Sequence, residues 1–228
     1  MTLTTINLAA LGQTVNLGTE VTGTLPVANG GTGLASGTSG QVLKFTGSTT
    51  LASQAGGSLI HVHTTTVSSA TAEVDLTSVF DSTYQRYMID IIGYSPVSNS
   101  QLRCQYIDSG GAKTGDYYVW SMKSQSSNGD DWDSHSGANT TYISITGEST
   151  FHGDNDPAQF RIFVDEPSDT STHKRLFWTG GYSSTAEYAV SLSGTSNYYA
   201  DGNAITGLRF LTNSGNIEAG IFKVYGVN

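Results

Sequence analysis

The chain has 228 residues, of which 27 are glycine and only 13% are charged, and its formal net charge is −9. This acidity and the lack of any Lys/Arg cluster argue against a nucleic-acid partner, because phosphate-backbone affinity rests on clustered basic side chains. No stretch approaches the roughly 20 apolar residues of a membrane span. Residues 1–18 also lack the basic residues that open a secretory signal. We therefore expect a protein made in a cytoplasm, with no membrane insertion.

The sequence changes character near residue 58. Residues 1–57 hold one acid (Glu20), one base (Lys44) and one aromatic residue (Phe45). A segment this poor in large side chains cannot bury enough surface to offset its backbone entropy alone. Its spaced aliphatic residues and its neutrality indicate a chain that is ordered by neighbours, either copies of itself or a larger body. We therefore predict two parts, an extended glycine-rich stalk over 1–57 and a head over 58–228.

One passage of the stalk, Leu25 to Gly33, has the sequence LPVANGGTG. Pro26 fixes its own φ and pushes Leu25 into extended conformations. The Asn29-Gly30-Gly31 run tolerates positive φ and predicts a tight turn. The same glycines nearly match a dinucleotide-binding loop, but Ser36 stands where the third glycine would be and no apolar strand or helix flanks the loop.

This passage resembles the LPVANGGTG segment that recurs in phage tail fibres and related virion fibre proteins. The following Gly37 to Leu43, GTSGQVL, resembles the G-x-x-GQVL segment that often comes next in those fibres. The resemblance covers residues 21–47, and it weakens beyond them because the tryptophan that usually follows is missing. It implies a connector in a homotrimeric fibre, bound to other virion proteins and to copies of itself. The implied attachment residues are Leu25, Pro26, Val27, Asn29, Gly30, Gly31 and Gly33.

The sequence of residues 58–228 predicts short strands separated by residues that favour turns. In Arg86–Tyr94, for example, Tyr87, Ile89 and Ile91 alternate with Met88, Asp90 and Ile92, which predicts a strand with one buried face. About ten strands without a long helical pattern predict a mainly β fold, a β-sandwich of jelly-roll type. A short helical turn is expected at Leu76–Phe80. The predicted strands are Ser58–Val67, Arg86–Tyr94, Gln101–Ile107, Tyr117–Lys123, Thr140–Thr146, Ala158–Val164, Lys174–Gly180, Glu187–Leu192, Ile205–Thr212 and Ile217–Gly226.

Aromatic residues in loops are candidates for recognition of a host-surface glycan. Stacking on a sugar ring requires an exposed aromatic face, and its hydroxyls require carboxylates or amides nearby. Trp132 with Asp130, Asp131 and Asp133 is the densest such combination, and Tyr117 and Tyr118 stand beside the same polar stretch. The alternative is that these rings pack the core or a subunit interface.

Metal binding and catalysis find little support in the sequence. The acidic runs Gly129–His135 and His152–Pro157 could ligate a hard cation, but solvated turns are the simpler interpretation. His61 and His63 share a face of a predicted strand, where two polar surface residues are the simpler interpretation as well. The single cysteine, Cys104, is predicted to be a small buried apolar residue. No nucleophile elbow, zinc-protease helix or P-loop motif is present, so we expect no enzyme, no metal and no cofactor.

We therefore predict a structural protein of a bacteriophage particle, a trimeric tail fibre or fibre-like component located in the virion. A capsid decoration or head-fibre protein built from the same two parts is the first alternative. A carbohydrate-binding module or a polysaccharide-degrading domain is the alternative from another class.

Overall fold

The computed structural model describes residues 41–47, 50–54, 58–129, 133–147, 157–199 and 202–227. Within these ranges the chain is mainly β, its strands pair antiparallel, and no helix occurs. The chain divides into two compact units, Met1–Gly56 and Gly57–Asn228. The mainly β class expected from the sequence is confirmed.

The described part of the first unit is a two-stranded hairpin. Strand β1 (Val42–Phe45) pairs antiparallel with β2 (Leu51–Gln54). The amide of Thr46 donates to the carbonyl of Thr50 (3.0 Å) and closes the turn. All four residues of β1 are exposed, so this hairpin has no buried apolar face of its own.

The second unit contains a large antiparallel sheet of eight strands, ordered β3-β15-β5-β11-β12-β13-β8-β9. Most of these strands alternate buried and exposed residues, as a sheet with one face on a core requires. Their bounds are β3 (Leu59–Val67), β5 (Arg86–Pro96), β8 (Tyr118–Ser126), β9 (Asp133–Thr140), β11 (Ala158–Asp165), β12 (Lys174–Ser183), β13 (Ala189–Tyr198) and β15 (Ile217–Val227).

A smaller sheet of five strands is ordered β10-β6-β14-β4, and β7 also pairs with β6. Its strands are β4 (Glu73–Leu76), β6 (Leu102–Asp108), β7 (Gly111–Ala112), β10 (Ile143–Ser144) and β14 (Gly207–Thr212). Strand β6 is buried along almost its whole length, because it lies inside the smaller sheet and contacts the larger one.

The two sheets enclose one hydrophobic core, which makes the unit sandwich-like. Residues of both sheets belong to a single buried cluster. Phe210 of the smaller sheet packs on Phe222 of the larger one with ring centroids 5.2 Å apart. Trp178 is fully buried, and its indole N–H donates to the carbonyl of Ile145 (2.9 Å). Apolar burial on this scale is the main stabilising term of such a fold.

Each of the ten predicted strands overlaps an observed strand. In Arg86–Tyr94, Tyr87, Ile89 and Ile91 are buried on one face as predicted, but Met88 on the opposite face is buried as well. The helical turn expected at Leu76–Phe80 is wrong. Ser78 has φ of 55°, and the amides of Val79 and Phe80 both donate to the carbonyl of Thr206. This segment therefore hydrogen-bonds across to another loop and not along itself. Strands β4, β7 and β9 and the β1–β2 hairpin were not predicted.

The two ends of the eight-stranded sheet differ in which part of the chain they hold. At one end, which we call the base, the chain enters the unit, and the residues that lie side by side there are Leu59, Val227, Arg86, Asp165 and Arg175. The hairpin turns β8–β9 and β12–β13 lie at the opposite end, which we call the tip.

Adjacent residues of β12 test the assignment of its two faces. Trp178→Phe should lower the free energy of unfolding by about 2 kcal/mol or more, because it opens space in the core and removes the donor to Ile145. The neighbouring ring of Phe177 is 51% exposed, so Phe177→Leu should change it by less than about 1 kcal/mol. Urea denaturation of the two full-length variants measures both values. Equal losses of stability would contradict the assignment of Trp178 to the core face and Phe177 to the outer face.

Candidate interaction surfaces

The acidic loop connects β8 to β9 at the tip of the sheet. Asp130, Asp131 and Trp132 lie outside the described residues. Asp133 is the first residue of β9, pairs with Ser124 and is exposed. Gly129, just before the loop, has φ of 85°, a conformation that favours glycine. The connector residues Leu25, Pro26, Val27, Asn29, Gly30, Gly31 and Gly33 also lie outside the described residues.

Tyr118 is a core residue, which corrects the prediction that it belongs to the glycan-binding candidates. Its side chain is fully buried. The hydroxyl accepts a hydrogen bond from the amide of Tyr106 (2.9 Å) and donates to the carbonyl of Lys113 (2.8 Å). Burial raises the pKa of the Tyr118 phenol. No face of this ring is open to a ligand.

Tyr117 is 45% exposed but lies far from Asp133, the described residue of the acidic run. Tyr118 begins β8 at the base, whereas Ser124, opposite Asp133, lies six residues along the strand. At about 3.3 Å per residue, the two positions are about 20 Å apart. The structure therefore does not bring Tyr117 and Asp133 into one site.

Tyr117 belongs instead to a tyrosine cluster at the base. Its ring meets the rings of Tyr198 and Tyr199 edge-on, each at a centroid distance of 6.2 Å. The Tyr199 hydroxyl bonds to the side-chain oxygen of Asn139, a residue with φ of 54°. The Tyr117 ring also lies directly over Gly115 and leaves no room there for a Cβ atom. Packing on several sides fixes this ring, so its exposed part is a rigid surface.

The outer face of the eight-stranded sheet carries ordered rows of side chains that cross the strands. One row runs from Phe163 through Phe177, Thr195 and Ser121 to Ser136. The rings of Phe163 and Phe177 stack with centroids 6.5 Å apart and planes inclined at 29°. The row is therefore aromatic at its β11–β12 end and hydroxyl-rich toward β9.

Two ion pairs flank the aromatic part of this row. Arg161 binds Asp90 through two hydrogen bonds of 2.7 and 3.1 Å. Arg86 binds Asp165 in the same bidentate way, with 2.9 Å between Nη2 and Oδ2. The Arg86 guanidinium also lies 5.8 Å from the centroid of the Phe163 ring. These pairs are largely exposed, so they orient side chains more than they stabilise the fold.

A groove of about 610 Å³ lies where the aromatic and hydroxyl parts of the row meet. Exposed ring carbon beside several hydroxyls and one ammonium is a combination that suits a sugar, which presents an apolar ring face and polar edges. Motifs within one continuous stretch of the sequence do not reveal this groove, because its lining residues come from four strands in two separate parts of the chain. The polar and aromatic lining residues are Ser121, Lys123, Ser134, His135, Ser136, Phe177, Ser193 and Thr195.

A second cleft, of about 800 Å³, lies at the base and has a charged lining that includes Arg86, Glu166 and His173. Its wall is the loop that follows β11. Asp169 holds the loop by accepting hydrogen bonds from Ser171 and Thr172, and the Thr172 hydroxyl is the main cause that lowers the pKa of Asp169 to about 2.

The buried ammonium of Lys174 stabilises the same loop through hydrogen bonds to its backbone. It donates to the carbonyls of Asp169 and Thr172. Burial lowers the pKa of Lys174, since desolvation disfavours the charged form. A buried lysine that binds backbone carbonyls shapes the loop and has no surface left for a ligand.

The other candidate ligands are engaged within the chain. His61 bonds to Thr64 (2.7 Å), and His63 bonds to Thr65 (3.0 Å). Cys104 is buried, and burial raises the pKa of its thiol. In the part of the chain that the structure describes, no group of three or more His, Cys, Asp or Glu side chains could hold a metal ion.

Comparisons with known proteins found no relative of this chain. No family model, no curated protein and no solved structure matches the chain. Among the described residues, no helix is long and apolar enough to cross a membrane.

The hydroxyl of Tyr118 makes two hydrogen bonds in the core, whereas Tyr117 has a half-exposed ring, so these neighbours allow a matched test. Tyr118→Phe should lower the free energy of unfolding by about 1–3 kcal/mol, because two buried backbone groups lose their partner. Tyr117→Phe removes a hydroxyl on the exposed ring and should change it by less than about 0.5 kcal/mol. Thermal melting of both variants measures the difference. Similar melting temperatures for the two would contradict the buried role of Tyr118.

Proposed function

We propose that the chain is a structural component of a bacteriophage particle, a trimeric tail fibre or fibre-like protein. In this proposal residues 1–57 are an extended glycine-rich stalk that binds other virion proteins, and residues 58–228 are a projecting sandwich head of the jelly-roll kind. The observation that carries the proposal is the LPVANGGTG segment at Leu25–Gly33, placed ahead of a sandwich-like head. Fold alone does not imply function, so the segment carries more weight than the sheets do.

The surface of the head agrees with a structural role. Three of its arginines are paired with carboxylates of the head itself: Arg86 with Asp165, Arg161 with Asp90, and Arg209 with Asp75 and Glu73. These guanidinium groups are therefore not free to bind phosphates. The hairpin turns β8–β9 and β12–β13 lie at the tip, the end of the sheet opposite to the chain's point of entry, and a projecting head would present that end to the surroundings.

Immunogold electron microscopy of phage particles that encode this chain tests the proposal. Antibodies against the full-length protein should label intact particles at discrete sites on the tail. Label spread evenly over the capsid would favour the decoration or head-fibre alternative. A lack of label on intact particles, together with free protein in the lysate, would overturn the proposal.

Recognition of a host glycan by the head has two candidate locations, the acidic loop at the tip and the groove beside Phe177. If the loop carries recognition, Trp132→Ala should reduce adsorption of particles to host cells without lowering the melting temperature of the protein. If the groove carries recognition, Phe177→Ala should reduce adsorption in the same way, without lowering the melting temperature. Val97→Ala, a change of an exposed apolar side chain outside both locations, is the control for nonspecific effects. Unchanged adsorption by both variants would exclude a major role of either ring in recognition.

A further inference from the structure

Strand β3 is unusual because its first half is covered on neither face. Of Leu59–Thr64, only Ile60 is partly buried, and the others are exposed. Leu59 and Val62 keep 46% and 38% of their surfaces exposed, although both are apolar. Among the described residues, the strand also lies at the edge of the eight-stranded sheet and pairs only with β15. Half of its backbone hydrogen-bonding groups therefore face outward along this edge.

The other edges of the two sheets are protected in ways that β3 is not. Unpaired edges invite association with other chains, and proteins block them with short strands or with charges. Strands β7 and β10 have two residues each, and β4 and β9 contain Glu73, Asp75 and Asp133. Strand β3 has nine residues and no charged side chain. Its one irregularity is a bulge against β15 at Val62.

The charge distribution favours another copy of this chain as the partner. Each chain carries a net charge of −9, so two copies repel each other over most of their surfaces. Between Lys44 and Glu73, however, the sequence contains no Asp, Glu, Lys or Arg. Strand β3 lies inside this neutral run. Copies of the head therefore meet at this strand without bringing charged side chains of β3 together.

We propose that Leu59–Thr64 form the contact through which three copies of the head assemble. This inference rests on the proposed function and names the contact behind the trimer. A twofold pair would use one surface of the strand twice and leave the opposite face bare. In a threefold ring each copy uses two different surfaces, so one neighbour covers one face of β3 and the second neighbour covers the other.

A charge placed at Val62 tests the contact. In a trimer, Val62→Glu brings three carboxylates together, and we expect the dissociation constant of the assembly to rise by at least about tenfold. Val97 is a valine of similar exposure, 44%, outside β3, so Val97→Glu is the matched control and should assemble like the unchanged chain. Sedimentation equilibrium of the full-length proteins measures the masses, and circular dichroism verifies that both variants fold. Unchanged assembly of the Val62→Glu variant would overturn the proposal.

Cross-linking supplies a test that does not depend on weakening the contact. The only native cysteine, Cys104, is buried, so Thr64→Cys introduces the only accessible thiol. A trifunctional maleimide should then join three chains of the Thr64→Cys variant, whereas a Val97→Cys variant should stay uncoupled. Equal coupling of the two variants would contradict a contact at β3. Particles that carry the label, together with free trimers whose Thr64→Cys chains do not couple, would overturn this inference and leave the proposed function standing.

Discussion

The two-residue alternation along the strands of the large sheet governs the other features of this molecule. In β11, β12 and β13 every second side chain, such as Ile162, Trp178 and Leu192, points into the core. Burying this face against the smaller sheet satisfies the main hydrophobic requirement of the fold. Contacts with other molecules are then left to the outer face, the loops at the two ends and the strand edges. All of the candidate surfaces of the head lie in these places.

This alternation also explains why many strands could be predicted from the sequence and why β9 was missed. Where buried and exposed positions alternate, as in Ala158–Val164, the pattern alone identifies a half-buried strand. Strand β9 lacks that pattern and contains Asp133, Gly137, Ala138 and Asn139, residue types that are depleted in strands. It forms because β8 offers it a pairing partner, with Met122 opposite His135. A strand of this kind depends on its neighbour more than on its own residues.

The candidate sites were harder to predict than the strands, because the prediction assumed that residues close in sequence are also close in space. Tyr117 and Tyr118 are adjacent, yet one is half-exposed and the other is fully buried. Tyr117 and the acidic loop belong to one polar region of the sequence, yet the length of β8 separates them. Conversely, Ser121, Ser136, Phe177 and Thr195 share a row across the sheet, and only the register of strand pairing brings them together. Register is a non-local property that a single sequence does not display.

The small size of the exposed part of β3 limits how strongly it could hold copies together by itself. Six residues at a strand edge bury far less than the roughly 1,000 Å² expected of a stable interface. A second link between the same chains changes this balance, because it turns a bimolecular contact into an intramolecular one at high effective concentration. In the fibre proposed above, the N-terminal segments would supply that link, since Leu59 closely follows residues 1–57 in the chain. A weak, uncharged contact at β3 would then suffice for the heads, and it would form only among copies whose N-terminal segments had already associated.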